Sequence, residues 1–213
     1  MNECCDPRGC DQFFGSGYAR RVAKRYRRNG LDKTARRMVG FLDERGIQGA
    51  TVLEIGGGVG EIQIELLRRG AAQVVSLELV DAYDGEAQRL LRDAGLENRV
   101  VRRRHDIAAH PDGVERADVV VLHRVVCCYP DYERLLAAAA EHARRLLVFS
   151  YPRHGVLGRL ATAAENAVFR ARRTTFRTFN HSPDAMLGVL AEHGLTGAYT
   201  HRGLAWQVVG LER

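Results

Sequence analysis

A short glycine-rich stretch after an apolar run is the feature that most constrains this 213-residue chain. Residues 51–55 read Thr-Val-Leu-Glu-Ile, an apolar and partly β-branched run typical of a buried parallel strand. Gly56, Gly58 and Gly60 then form a G-x-G-x-G pattern, and helical spacing resumes at Glu61. This order of strand, glycine turn and helix predicts an α/β sheet whose backbone a nucleotide-like ligand can approach closely.

The glycine spacing departs from the dinucleotide-binding fingerprint G-x-G-x-x-G/A. Counted from Gly56, the fingerprint requires a small residue where Glu61 stands. Counted from Gly58, it requires glycine or alanine where Gln63 stands. The spacing therefore favours another ligand class.

An acid, Glu54, stands two residues before the first glycine. With it, the stretch resembles motif I of the class I S-adenosylmethionine (SAM)-dependent methyltransferases. In that family the loop backs the methionine part of SAM, and the acid helps to hold the loop and the ammonium group of the ligand. The resemblance assigns these contacts to Glu54, Gly56, Gly57, Gly58 and Gly60. The alternative is a glycine turn that only packs the strand against its helix.

Strands and helices continue to alternate along the rest of the chain. Strands are predicted at 73–78, 99–104, 118–122 and 146–150, a late hairpin at 195–199 and 204–211, and helices at 18–28, 31–46, 61–69, 81–94, 132–144 and 183–193, with residues 1–17 irregular. The predicted fold class is α/β: a Rossmann-like, seven-stranded, mostly parallel sheet with helices on both faces, plus N-terminal helices. The predicted divisions are a cysteine-containing basic segment at 1–45 and the methyltransferase domain at 46–213.

Two acids near strand ends are candidates for holding the nucleoside part of SAM. Glu78 ends the second strand about twenty residues after the glycine loop, where a carboxylate can accept both ribose hydroxyls. Asp106 follows the third strand. In class I methyltransferases an acid there commonly bonds the adenine amino group, and the next backbone amide, here that of Ile107, meets a ring nitrogen. The alternatives are a surface glutamate and an ordinary loop aspartate.

The segment after the fourth strand, residues 123–131, is expected to line the site, because ligands bind beyond the carboxyl ends of parallel strands. His123, Cys127, Cys128 and Tyr129 there could serve an acceptor that needs a base, since histidine titrates near neutrality. His123 is equally a candidate for the cofactor side or the core, and Cys128 for a small buried apolar residue.

Over most of its length the chain also resembles the magnesium-protoporphyrin IX O-methyltransferases. Tyr26 precedes residues 30–33 (Gly-Leu-Asp-Lys) at that family's spacing. Residues 128–131 (Cys-Tyr-Pro-Asp) match a His-Tyr-Pro-Asp segment, and residues 177–181 match a late Arg-x-aromatic-x-His. In that family the tyrosine and the first histidine are catalytic. The resemblance therefore implies a catalytic role for Tyr26, whereas Cys128 replaces the histidine.

An amphipathic helix is predicted after the fifth strand. Leu157, Leu160, Ala164, Val168 and Ala171 mark its apolar face, and arginines follow it. Because the helix lies where a simple connection would suffice, it is either a lid over the substrate or a plain packing helix.

The net charge of the chain is +6, and much of the positive charge lies in one window. Residues 20–37 contain nine basic residues and a single acid, Asp32. Either an acidic small-molecule substrate or a solvated helix face explains this charge, and nucleic acid is disfavoured because no recognised binding motif accompanies it. The sequence contains no apolar run as long as a membrane span and no signal-peptide pattern, so a cytoplasmic protein is expected.

The five cysteines, at 4, 5, 10, 127 and 128, are an odd number with two adjacent pairs, which makes a poor disulfide framework. Cys4, Cys5 and Cys10 could help to hold zinc or an iron–sulfur cluster. No fourth ligand stands near them, so free thiols are expected and a metal is not favoured.

The predicted activity is methyl transfer from SAM, which leaves S-adenosylhomocysteine (SAH), to a small anionic or aromatic acceptor, with O-methylation favoured. Two alternatives remain. One is RNA methylation, although no Asn-Pro-Pro-Tyr or Asp-Pro-Pro-Tyr signature of base amino-group methylation follows the fourth strand. The other is a non-catalytic SAM- or metal-binding regulator that uses the cysteines.

Overall fold

A computed structural model describes residues 9–213 of the chain. Its strands are β1 (Thr51–Ile55), β2 (Gln73–Glu78), β3 (Val100–Arg104), β4 (Ala117–Leu122), β5 (Ala143–Pro152), β6 (Thr196–Arg202) and β7 (Trp206–Glu212). They form one sheet in the order β3-β2-β1-β4-β5-β7-β6. Strand β7 runs antiparallel to β5 and β6, and the other neighbours pair in parallel. The predicted seven-stranded, mostly parallel sheet is confirmed.

Eight α-helices accompany the sheet in the described residues: α1 (Cys10–Phe13), α2 (Ser16–Asn29), α3 (Lys33–Glu44), α4 (Glu61–Arg68), α5 (Asp84–Ala94), α6 (Tyr132–His142), α7 (Val156–Ala171) and α8 (Pro183–Glu192). Helices α3 and α4 pack on one face of the sheet, and α6 and α8 on the other. Within residues 9–213, no helix combines the length and the apolar character that crossing a membrane requires.

Strand β4 shows why its sequence is almost continuously apolar. Val119 and Val121 belong to the core under α3 and α4, whereas Val120 and Leu122 belong to the core under α6 and α8. All four side chains are fully buried. Successive side chains of a strand point to opposite faces, and both faces of this central strand are covered, so neither face tolerates polar residues.

Several predicted boundaries were wrong. The helix predicted at 132–144 ends at His142, because Ala143 already pairs with Ala117 to begin β5. Strand β5 also continues through Pro152, which pairs with Trp206 of β7, and this register moves the hairpin turn to residues 203–205.

The prediction that residues 1–17 are irregular also fails within their described part. Helix α1 forms at Cys10–Phe13, and α2 begins at Ser16. Aromatic packing accounts for this order, since the Phe13 ring lies 4.9 Å from Phe176 and 5.3 Å from Phe169, centroid to centroid.

Candidate active site

A pocket lies at the carboxyl edge of the sheet, where the strand order reverses between β1 and β4. The ends of β1 and β2, the glycine turn and the segment after β4 form its floor, Phe14 follows α1 at its edge, and α2 contributes Tyr18, Val22 and Arg25. Doubly wound sheets bind their ligands at this switch point.

The glycine turn lies close against the sheet. The Gly56 N–H donates to the Leu77 carbonyl at 2.8 Å, and a Cβ added to Gly57 would overlap Ser76 Oγ. Arg102 of β3 braces the turn from below, since its Nη2 donates to the Gly58 carbonyl at 2.9 Å. The turn therefore presents backbone, without side chains, to the pocket.

Glu54 is a buried carboxyl group beneath this turn, with 3% of its surface exposed. Gln63 Nε2 donates to its Oε2 at 3.0 Å. Burial, followed by repulsion from Glu61, raises the pKa of Glu54 to about 8. A cationic group in the pocket would favour the ionised form of this carboxyl, so its environment fits the ammonium group of SAM.

Glu78 at the end of β2 is already held by the backbone. Its Oε2 accepts the Gly58 N–H at 2.8 Å, and its Oε1 accepts those of Leu79 and Val80 at 2.8 and 3.2 Å. Burial raises the pKa of Glu78 despite these three donors. A carboxylate has about four acceptor sites, so it can still accept a ribose hydroxyl from this fixed position.

Asp106 is held in place by a neighbouring tyrosine. The Tyr129 hydroxyl lies 3.0 Å from both carboxylate oxygens, and the Ala108 N–H donates to Oδ1 at 3.1 Å. Asp106, Ile107 and Tyr129 all line the pocket. The Tyr129 hydroxyl thus orients Asp106, and the catalytic role predicted for Tyr129 stays a prediction.

Charged side chains meet beside the pocket, around the segment that follows β4. Arg124, directly after β4, approaches Asp32 with its Nη2 2.8 Å from Oδ2, and its guanidinium lies 4.8 Å above the Trp206 ring. Arg124 has a φ of 60°, in the left-handed region, and its buried Nε has no hydrogen-bond partner among the described residues. Such strain in a non-glycine residue is often found at functional sites.

Asp32 has two structural tasks. Its Oδ1 accepts the Thr34 and Ala35 N–H groups at 2.9 Å and so caps α3, while Oδ2 faces Arg124. Burial alone would raise the pKa of Asp32, but contacts with His123, the Ala35 N–H and Arg124 lower it well below its usual range. The residue is therefore ionised throughout the neutral range.

His123 lies between Asp32 and Ser150. Its Nδ1 is 3.0 Å from Ser150 Oγ, and its Nε2 is 3.7 Å from Asp32 Oδ2. Ser150 Oγ already accepts the Arg124 N–H at 2.9 Å, so the serine proton is best donated to Nδ1. This arrangement directs the other ring nitrogen, Nε2, toward Asp32 Oδ2.

Most of the predicted site residues meet in this one pocket. The predicted residues that line it are Glu54, Gly56, Gly57, Gly58, Glu78, Asp106, Ile107, His123, Cys128 and Tyr129. Gly60 is not among the lining residues, and it instead precedes α4 as its N-cap with a φ of 86°. Tyr26 is also outside them, because its hydroxyl donates to Glu65 Oε1 of α4 at 2.8 Å.

The thiols in the described region form no metal-binding group. Cys127 Sγ and Cys128 Sγ are 3.7 Å apart, and this contact together with burial raises the pKa of Cys128 well above its usual range. The Cys128 thiol therefore stays protonated and is unsuited to act as a base. Residues 9–213 contain no cluster of three or more histidine, cysteine or acidic side chains fit for a metal, and Cys4 and Cys5 lie outside the described residues.

Sequence reasoning placed Arg124 in the segment expected to line the site but gave it no role, and it did not identify Asp32 and Arg102, which hold Arg124 and the glycine turn. Asp32 could have been found as the only acid in a basic window and as a helix N-cap. Arg102 and Arg124 carry no comparable local signal, because their partners are contributed by distant segments of the chain.

The sheet order, the antiparallel β7, the glycine turn and the two strand-end acids together define a class I methyltransferase. Residues 18–199 match the methyltransferase domain family, and the chain belongs to that family. The family match and the fold confirm the prediction of a SAM-dependent methyltransferase. The roles predicted for Glu54 at the ammonium group, Glu78 at the ribose and Asp106 at the adenine stay predictions, and all three acids line the pocket.

Solved structures share the fold over the whole chain. Magnesium protoporphyrin IX methyltransferase from Synechocystis PCC 6803 with bound SAH is 19% identical, with a TM-score of 0.75 and coverage of 96% of this chain and 97% of that one. The same protein with bound SAM gives a TM-score of 0.71 at 20% identity, with both chains fully covered. An O-methyltransferase family protein from Burkholderia thailandensis gives 0.67 at 18% identity, covering 93% of this chain and 61% of that one. No curated protein sequence matches significantly.

Proposed function

We propose that this protein transfers a methyl group from SAM to an oxygen of a small acceptor that combines a carboxylate with an aromatic or apolar body. The observation that carries the proposal is the position of Arg124. Arg124 lines the pocket beside His123, its Nη2 contacts Asp32, and its buried Nε lacks a hydrogen-bond partner among the described residues. Arginine is the side chain best suited to bind a carboxylate.

Aromatic side chains elsewhere in the pocket suit the body of such an acceptor. Phe14, Tyr18 and Tyr83 contribute aromatic surface to the same pocket. An apolar wall with a few polar groups that set orientation is typical of small-molecule sites. The positive charge at Arg25 and Arg124 adds an attraction for anions.

The residues present also suit the chemistry of carboxylate methylation. SAM supplies an electrophilic methyl group on a sulfonium, and a carboxylate is already deprotonated near neutral pH. No general base is then needed, which agrees with the protonated thiol of Cys128. The task of the protein is to align the acceptor oxygen and to exclude water.

The proposal is tested with purified protein in two measurements. Calorimetry measures the affinity of the donor site for SAH. A methyl-transfer screen compares the turnover of aromatic carboxylic acids with that of matched phenols and amines. We expect SAH binding and turnover of acids. Arg124→Met should raise KM for the acid at least about tenfold, because a charge-assisted contact is lost, while leaving SAH affinity within about threefold.

The outcomes separate the two halves of the proposal. Binding of SAH with turnover of amines alone would refute the carboxylate acceptor and leave the donor intact. Absence of SAH binding would refute the donor assignment itself.

A further inference from the structure

Helix α7 touches the rest of the protein along a narrow strip. Its partly or fully buried residues are Gly158, Thr162, Asn166 and Phe169, at the spacing i, i+4, i+8 and i+11, and its remaining residues are exposed. That spacing defines one side of an α-helix. The opposite side therefore faces solvent.

This orientation is fixed by specific contacts. Asn166 Nδ2 donates to the Thr178 carbonyl at 2.8 Å, and the Thr178 N–H donates to Asn166 Oδ1 at 2.9 Å. The Phe169 ring packs 5.2 Å from Phe176. A Cβ at Gly158 would overlap the Arg153 carbonyl, so only glycine allows this close approach. The helix cannot simply rotate to bury its other side.

The solvent-facing side of α7 is apolar. Val156, Leu157, Leu160 and Val168 are 65%, 74%, 61% and 49% exposed. The outer face of α7 consists of Val156, Leu157, Leu160, Ala161, Ala164, Ala167, Val168 and Ala171. This is the reverse of α6, whose leucines and alanines are buried against the sheet. An apolar patch of this extent on a surface indicates an interaction site.

Positive charge surrounds the outer face. Between residues 153 and 173 the chain has one acid, Glu165, and five exposed arginines: Arg153, Arg159, Arg170, Arg172 and Arg173. A contact between two copies through this face would bring like charges together, which is unfavourable. An anionic surface complements the same charges.

We propose that the outer face of α7 binds the surface of an anionic lipid bilayer. An amphipathic helix with apolar residues toward the membrane and arginines beside them lies in the interface plane. This surface is distinct from the pocket, so the inference does not depend on the acceptor.

The apolar contribution is tested by sedimentation of the full chain with vesicles of phosphatidylcholine mixed with phosphatidylglycerol. We expect the double variant Leu157→Ser, Leu160→Ser to bind these vesicles at least about tenfold more weakly, because it loses two apolar side chains from the contact. Val101→Ser is the matched control, since Val101 is 52% exposed on β3, and it should bind as the natural protein does. Circular dichroism and SAH binding establish that each variant is folded.

The charge contribution is tested in the same assay. Arg172→Gln with Arg173→Gln should weaken binding to the anionic vesicles several-fold, whereas Lys24→Gln with Arg28→Gln, on exposed positions of α2, should not. Vesicles of phosphatidylcholine alone should bind weakly.

Three results would overturn the proposal. One is no sedimentation with anionic vesicles, and another is equal sedimentation of the leucine double variant. The third is a dimer, detected by light scattering, that the leucine double variant splits while lipid binding is absent, because a second copy would then cover the face.

Discussion

The two ends of the pocket are built in different ways. At the donor end, backbone groups hold the key atoms, as in the three N–H donors to Glu78 and the Gly56 bond to Leu77. At the acceptor end, side chains from separate segments hold one another, as in the contacts of Asp32 and Trp206 with Arg124. Backbone hydrogen bonds are retained in most substitutions, whereas a single substitution removes a contact between two side chains. With the acceptor bound at Arg124 as proposed, a single substitution could alter the acceptor site and leave the donor site intact.

The largest effect is expected from a side chain added at the donor end. In Gly57→Val the new Cβ would meet Ser76 Oγ and, at 2.9 Å, Glu54 Oε2, so the turn must move. We expect SAH affinity to fall at least about 100-fold, the scale that a displacement of about 1 Å can cause. Calorimetry measures this, with Gly40→Ala as the control because its Cβ meets nothing within 4 Å. Unchanged affinity would show that the turn is not part of the donor site.

The affinity for SAH should depend on pH through Glu54 and not through the residues around Arg124. Since the pKa of Glu54 is about 8, the free carboxyl is protonated at neutral pH, and a bound cation must displace that proton. Affinity for SAH should therefore rise as pH increases toward 8, by up to about tenfold per pH unit. Glu54→Gln should remove this part of the pH dependence. Equal pH profiles for the two proteins would contradict the contact with the ammonium group.

The Glu54 carboxyl should also make folding stability depend on pH, with stability falling over the range in which SAH affinity rises. The folded-state pKa lies above the ordinary value of 4.5, so the natural protein loses stability as pH rises from about 4.5 to about 8. The side-chain amide that Glu54→Gln introduces cannot ionise. Thermal unfolding should thus show the Tm of Glu54→Gln rising relative to the natural protein over that range.

A smaller effect, confined to the acceptor end, is expected from Asp32→Asn. Asparagine can still cap α3, but it no longer holds Arg124 by charge. We expect KM for an acidic acceptor to rise about fivefold through loss of this ion pair, with SAH affinity unchanged. Turnover kinetics and calorimetry on the same protein test this, and a parallel loss of SAH affinity would contradict the separation of the two ends.

The smallest effect is expected at Tyr26. Its hydroxyl bonds to Glu65 outside the pocket, so Tyr26→Phe should lower the free energy of unfolding by about 1 kcal/mol. A change in kcat of less than about threefold should accompany it, since no contact in the pocket is lost. Denaturant unfolding and initial rates measure the two quantities. A loss of kcat by orders of magnitude would instead support the catalytic role that the family resemblance implies.

The donor end could be predicted from the sequence because its signals are local. Glycines at 56 and 58 and acids at 54, 78 and 106 lie at or next to strand ends at fixed spacings, and the structure brings all of them to one pocket. The acceptor end could not be predicted in the same way. Asp32 and Arg124 are far apart in the chain, and no periodicity connects them.

The sequence by itself determined the sheet, the glycine turn and the class of ligand, because strand alternation and turn chemistry depend on neighbouring residues. Only the tertiary structure decided that Tyr26 bonds to Glu65, that Asp32 pairs with Arg124, and that α7 turns its apolar side outward. A helical pattern records which residues share a face but not what that face meets. The contacts at Gly158, Asn166 and Phe169 settle this for α7, since they fix the opposite side against the protein.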